Sequence, residues 1–319
     1  IRVLRFLKNL PTFNLILFLS EIVSANFSGT YKVTYLILIM VEDNFATLTY
    51  AQLLKEDLGI FRLVPKEGSI PDFKPGQFLT MGMPVKAEGG KIVRRAYSIA
   101  SHPENKKCFE FVIRWVRKPF PGRLTTELFN AKEGDEIRWL NPTGHLTIND
   151  ELPNGEPDTR RIVCIGGGTG LAPFVSYAQH LHDIGDKREI VVLHGASYVD
   201  ELSYKQLLTD LENESIDRGA DKWNFKYRAA ISRPQEWFNR AWKGQTGRVE
   251  QFLRAKMDEN SPLEELVGEK ITKENTMFYI CGWQGTIDGT MDYLENKDFV
   301  TERNKRGDGS YEVKFESYG

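Results

Sequence analysis

A chain of 319 residues, 41% hydrophobic and 27% charged, has the balance of a globular protein and the length for two domains. Its formal net charge of -2, with no basic stretch interleaved with aromatics, argues against nucleic acid or an anionic membrane as partner. The three cysteines, Cys108, Cys164 and Cys281, stand far apart with no CxxC or Cys/His cluster, so no metal or iron–sulfur site is expected and a reducing, cytoplasmic setting fits.

Residues 1–40 open basic and then apolar, IRVLRFLKNLPTFNLILFLSEIVSA, but Pro11, Asn14, Ser20 and Glu21 interrupt the run. It is too short and broken for a membrane span, and 1–40 reads as an N-terminal extension outside the core fold. From Thr47 to Asn149 the runs DLGIFRLVP, GQFLTMGMP, RRAYSIAS, CFEFVIRWV and DEIRWLNP are strand-like, punctuated by Pro75-Gly76, Gly89-Gly90, Pro121-Gly122 and Gly134-Asp135. They predict an antiparallel six-stranded barrel over 41–152, interrupted by one helix at LTTELFNAK.

The stretch ELPNGEPDTR reads as a linker, and the rhythm then changes. RIVCIGGG, EIVVLHGAS, FKYRAAIS and TMFYICG read as strands. LAPFVSYAQHLHDIG, ELSYKQLLTDLENES, RVEQFLRAKM and TIDGTMDYLENK read as the helices between and after them. Strands alternating with helices predict a doubly wound parallel sheet over 153–319.

Two stretches carry chemistry. Between the first strand and helix of the second half stands Gly166-Gly167-Gly168-Thr169-Gly170-Leu171-Ala172-Pro173. Glycines permit a tight turn and close backbone approach, the helix N-terminus attracts phosphate, and Pro173 suits the first helical turn. The turn is not GxGxxG, but its place at a strand's carboxyl end favours a nucleotide over a merely tight connection. In RRAYSIAS, Arg95, Tyr97 and Ser98 set a cation, a ring and a hydroxyl together. That trio suits a flavin, where the ordinary alternative is a barrel strand with a surface arginine. Cys281, at the end of a later strand, reads by itself as a small buried hydrophobe.

Arg95-Ala96-Tyr97-Ser98 with Ser101, then GGGTGLAP, then YICG, resemble in order and spacing three motifs of the ferredoxin–NADP reductase superfamily. The resemblance covers about residues 47–319. PLEELVGEKITKENTMFYICG and KFESYG are similar to segments of its bacterial-type ferredoxin (flavodoxin)–NADP reductases. The resemblance implies that Arg95, Ala96, Tyr97, Ser98 and Ser101 bind a flavin. It implies that Gly122, Arg123, Leu124 and Thr125 hold a pyrophosphate, hence FAD, since FMN has one phosphate. Gly167, Gly168, Thr169, Gly170 and Pro173 would take the pyrophosphate of a nicotinamide nucleotide. Ser232, Arg233 and Arg248 would take the 2′-phosphate of NADP, although relatives often carry an arginine where Ser197 stands. Cys281 and Gly282 would meet the nicotinamide, and Tyr318 would cover the other face of the flavin until the nicotinamide displaces it, with Ser98, Cys281 and Tyr318 as catalytic residues. Apart from the resemblance, Glu316 and Asp288 stand in stretches that could bring a proton donor to the site, where the ordinary alternative is a solvated carboxylate.

The implied activity is FAD-dependent electron exchange between NADP(H) and a separate carrier, ferredoxin or flavodoxin. Such acidic carriers would dock on Arg94, Arg114, Arg117, Lys118 and Arg123. Alternatives are an oxygenase or cytochrome-linked reductase using NADH, and a non-enzymatic flavin- or nucleotide-binding regulator.

Overall fold

The structure, a computed structural model, describes residues 43–256 and 259–318. The expected N-terminal extension, 1–40, lies outside them. From Asn44 onward the chain builds two six-stranded sheets, one antiparallel and one parallel.

The first sheet contains β1 (Asn44–Lys55), β2 (Leu58–Pro65), β3 (Phe78–Val85), β4 (Lys91–Ser98), β5 (Phe109–Arg114) and β6 (Glu136–Thr143), in the order β4-β3-β6-β1-β2-β5. Every pairing is antiparallel. Alternate residues point inward, and Leu48, Phe61, Leu63, Leu79, Phe109, Phe111, Ile137 and Trp139 form one core. The two edge strands approach each other where the Ala100 N–H donates to the Glu110 carbonyl at 2.8 Å. Helix α1 (Arg123–Asn130) buries Leu124 and Leu128, one turn apart, against the same core.

The second sheet contains β7 (Arg161–Gly167), β8 (Ile190–Ala196), β9 (Phe225–Ile231), β10 (Gln245–Thr246), β11 (Thr276–Trp283) and β12 (Val313–Tyr318). All its pairings are parallel, in the order β10-β9-β8-β7-β11-β12. Helices α2 (Ala172–Asp183) and α3 (Lys205–Arg218) supply Phe174, Leu181, Leu208 and Leu211 to the core on one face. Helices α4 (Pro262–Val267) and α5 (Gln284–Glu295) supply Leu263, Ile287 and Leu294 on the other. With both faces covered, every residue of β7 is buried, which is why IVCIGG after Arg161 reads as an unbroken apolar run. The strand order reverses between β7 and β11, so a crevice opens at their carboxyl ends.

RVEQFLRAKM, read as a helix, forms among its described residues only a 3-10 turn at Val249–Phe252. A proper helix start comes later: Ser261 accepts from the Glu264 N–H, Glu264 reaches back to the Ser261 N–H, and Pro262 opens α4. The connection between the sheets, 144–160, contains the stretch read as a linker. Among the described residues no helix is long and apolar enough to cross a membrane.

Candidate active site

Ser98 ends β4 and is buried; its hydroxyl lies 2.8 Å from that of Tyr318 at the end of β12. Both line a cavity of about 450 Å³, walled also by Arg95, Ala96 and Tyr97 of β4, by Gly122 to Thr125 and by Glu316. The Tyr97 hydroxyl is buried without a hydrogen-bond partner. Burial pushes that phenol above its ordinary range, against the opposing pull of Arg95. One carboxylate oxygen of Glu316 is likewise buried and unpartnered, and burial raises its carboxyl to about 7.

Helix α1 starts at Gly122 with no side-chain cap and no acidic residue in its first turn. Its free N–H groups and positive dipole end are therefore left for an anion. Thr125 and Thr126 hydroxyls donate to the Gly122 carbonyl, at 3.1 and 2.7 Å, and tighten that turn. A ring, a hydroxyl, an orphaned polar atom and an uncapped helix around one cavity fit a flat redox-active ring with a phosphate tail.

The glycine turn leaves β7 and enters α2. Gly168 has φ +58°, and a Cβ there would meet open space, so its backbone is accessible to a ligand. Gly170 answers a different need: a Cβ there would lie 2.2 Å from the Cys281 carbonyl. Its bareness lets the ends of β7 and β11 meet at the crevice. A second cleft of about 670 Å³ adjoins, lined by Gly167, Gly168, Thr169, Ser197, Tyr198, Ser232, Arg233 and Arg248 among others. Arg233 donates to the Tyr198 hydroxyl at 2.9 Å and lies over its ring. Arg248 bonds Glu250 at 2.7 Å and the Gly285 carbonyl at 2.6 Å. Arg114, Thr169 and Trp283 border both cavities.

Residues 46–148 match the family described as oxidoreductase FAD-binding domain, and 164–292 the oxidoreductase NAD-binding domain. The ferredoxin–NADP reductase of Azotobacter vinelandii is 31% identical over 225 residues, 70% of this chain and 78% of the relative. The chain belongs to the ferredoxin–NADP reductase superfamily. One component of the Na(+)-translocating NADH-quinone reductase of Marinomonas sp. is 30% identical over 197 residues, 60% of this chain. The match spans 42% of that relative's length. The ferredoxin NADP+ reductase of Neisseria gonorrhoeae, solved with bound FAD and NADP, superposes with a TM-score of 0.67 at 22% identity. It covers 87% of this chain and 99% of that one, and so shares the fold. FAD and a nicotinamide dinucleotide are the cofactors of the two matched domains.

Within this superfamily frame the residues singled out by sequence separate by the cavity they line, if any. Arg95 to Ser98, Gly122 to Thr125 and Tyr318 line the first cavity; Gly167, Gly168, Ser232, Arg233 and Arg248 line the second; Thr169 lines both. Ser101, Gly170, Pro173, Cys281 and Gly282 line neither. The Ser101 hydroxyl accepts the Glu110 N–H at 3.1 Å and its carbonyl accepts from Ser176 at 2.8 Å, a structural tie between the sheets. Cys281 is fully buried beside the Tyr318 hydroxyl, and burial pushes its thiol well up, so it stays a neutral thiol. Asp288 is exposed and bound to Gln284 at 2.7 Å.

Within the cations read as a docking patch, Arg114 is tied to Asp57 and Glu201, Arg117 to Glu56, and Arg123 to Glu88. Sequence reading missed Tyr198, Glu201, Glu250 and Trp283. Tyr198 directly follows Ser197, where only a carboxylate or arginine was sought, and Trp283 directly follows the Cys281-Gly282 pair.

Proposed function

We propose that this chain is an FAD-dependent NADPH oxidoreductase. It passes electrons between NADP(H) and a separate one-electron carrier such as ferredoxin or flavodoxin, in the cytoplasm. Residues 41–152 form the FAD-binding domain and 153–319 the NADP-binding domain. What carries the reading is the 2.8 Å contact of Ser98 with Tyr318, because it joins the flavin motif to the end of the nucleotide sheet.

Bound FAD supplies the conversion between two-electron and one-electron transfer, while the protein supplies orientation and electrostatics. Arg95, Tyr97 and the start of α1 hold it, with Ser101 bracing the strand end. Ser98 donates or accepts a hydrogen bond at its redox-active edge. Tyr318 would occupy the place of the nicotinamide and yield it when the dinucleotide binds. Cys281 and Gly282, buried behind Tyr318, would then form the neutral floor of that place. Glu316 holds or releases a proton near neutral pH, as its raised carboxyl supports.

Gly167, Gly168 and Thr169, braced by Gly170 and Pro173, take the dinucleotide's pyrophosphate. Ser232, Arg233 and Arg248 take the 2′-phosphate. Support comes from Glu201, a carboxylate that borders the same cleft: Arg114, Lys55 and the Ser197 N–H engage it, so it is not left for a ribose hydroxyl.

A second reading is an NADH-using oxygenase reductase. The reductase component of a propane 2-monooxygenase of Mycolicibacterium goodii is 27% identical over 75% of this chain, and Arg248 is already paired with Glu250. An anaerobic absorbance titration of the purified protein with NADPH and, in parallel, NADH tests both. Flavin bleaching at much lower NADPH than NADH supports the first reading, and the reverse supports the second. No flavin band even after FAD is added overturns both. Steady-state reduction of ferredoxin, flavodoxin and an oxygenase partner then names the carrier class.

A further inference from the structure

We propose that His102, Glu104 and Asp183, with His180 beside them, bind one divalent transition cation of the zinc type. His102 and Glu104 lie between β4 and β5, just beyond the flavin-motif strand. His180 and Asp183 lie in the last turns of α2, the helix that leaves the glycine turn. Ser176, His180 and Asp183 follow one another at i, i+4 and i+7, along one face of that helix. The Ser176 hydroxyl already donates to the Ser101 carbonyl at 2.8 Å, so the cluster continues a seam that packing has made.

The donors converge. One ligand atom each from His102, Glu104 and Asp183 lie within 4.8 Å of one another. His102 Nε2 is 3.1 Å from Asp183 Oδ2, and His180 Nδ1 is 2.8 Å from Glu104 Oε1. A tetrahedral zinc with bonds of about 2.0–2.2 Å needs its donors about 3.4 Å apart, within the span of these separations. The set has the right charge, since two carboxylates and two imidazoles in their neutral, ligating form carry -2. It has the right chemistry too: imidazole nitrogen favours zinc and its neighbours over magnesium or calcium.

His102 is the least exposed member of the set. The His102 side chain is only 19% exposed, and its Nδ1 is buried with no hydrogen-bond partner. Its other ring nitrogen makes the contact toward Asp183. His182, on the same helix, is engaged by Glu214 at 3.0 Å and stands outside the set. The cation would thus clamp a loop of the antiparallel sheet to a helix of the parallel one. No sequence spacing betrays this, because Glu104 and His180 are 76 positions apart.

The test is calorimetric titration of the tag-free, FAD-loaded full chain, first stripped with EDTA, using Zn2+ and Mg2+ as chlorides. One Zn2+ per chain with no comparable Mg2+ binding is expected, together with a melting temperature that rises with Zn2+. His102→Gln and Asp183→Asn, placed on different elements so that one decides if the other misfolds, are each expected to weaken Zn2+ binding by at least about tenfold. His145→Gln, at an exposed site outside the set, is expected to leave it unchanged. Absence of stoichiometric Zn2+ uptake, equal uptake of Mg2+, or binding unaltered by the His102 or Asp183 change overturns the proposal.

Discussion

The hydroxyls of Ser98 and Tyr318 lie 2.8 Å apart although the residues are 220 positions apart in the chain. The first belongs to the antiparallel sheet, the second to the last strand of the parallel one. If Ser98 steadies the flavin's redox-active edge, Ser98→Ala removes a hydrogen bond worth about 1.5–3 kcal/mol at a charge-bearing site. Reduction of the bound flavin by NADPH is then expected to slow by about 10- to 150-fold, with flavin content unchanged. Stopped-flow absorbance reads this directly; an unaltered rate assigns Ser98 to packing alone.

Arg233 is exposed, with the Tyr198 hydroxyl and ring as its contacts in the cleft. Arg233→Ala should therefore raise the KM for NADPH about tenfold or more while leaving NADH kinetics alone, since an arginine fork is matched to phosphate. Arg248→Ala should do the same with an added loss of stability, because Glu250 is 5% exposed and would lose its partner. Steady-state kinetics with both nucleotides, alongside thermal melts, separates the two effects. Equal losses with NADH would remove both arginines from the 2′-phosphate.

Glu316 sets a pH window. The folded chain holds its proton up to about pH 7, whereas the ordinary value is 4.5. Between those values folding takes up a proton, so stability falls as pH rises through the window and the burial cost is fully felt above it. Glu316→Gln should therefore gain in melting temperature relative to the parent as pH goes from 5 to 8. A difference that does not change with pH would show that this carboxyl titrates in the ordinary range.

Gly170 meets the Cys281 carbonyl so closely that Gly170→Ala must push β11 from the glycine turn. The expected cost is about 1–3 kcal/mol, typical of overpacking. NADPH affinity should fall while flavin content holds, because the disturbance lies on the nucleotide side. Thermal denaturation and equilibrium titration check the two halves; loss of flavin instead would place the damage in the wrong cavity.

Much of this architecture can be read from the chain. β7 is buried throughout, so its apolar run is unambiguous, and RRAYSIAS lies on a strand as its residues suggest. RVEQFLRAKM misleads because its apolar spacing imitates a helix. Val249, Phe252 and Leu253 are indeed buried, but from a single 3-10 turn that also delivers Arg248 and Glu250 to the cleft. β1 escapes notice because its outer half, with Leu53 half-exposed, does not alternate cleanly. The pairing of Ser98 with Tyr318, like the convergence of His102 on Asp183, depends on how two sheets pack, which no local pattern encodes.

Arg114, Thr169 and Trp283 each face two cavities at once. Whatever rearrangement one occupant imposes on these three side chains, the other occupant must feel. Thermodynamic reciprocity then makes the exchange symmetrical: the factor by which a seated flavin alters the dinucleotide's dissociation constant is the factor by which the dinucleotide alters the flavin's. Any coupling between retention of the prosthetic group and the dinucleotide runs through these three shared walls.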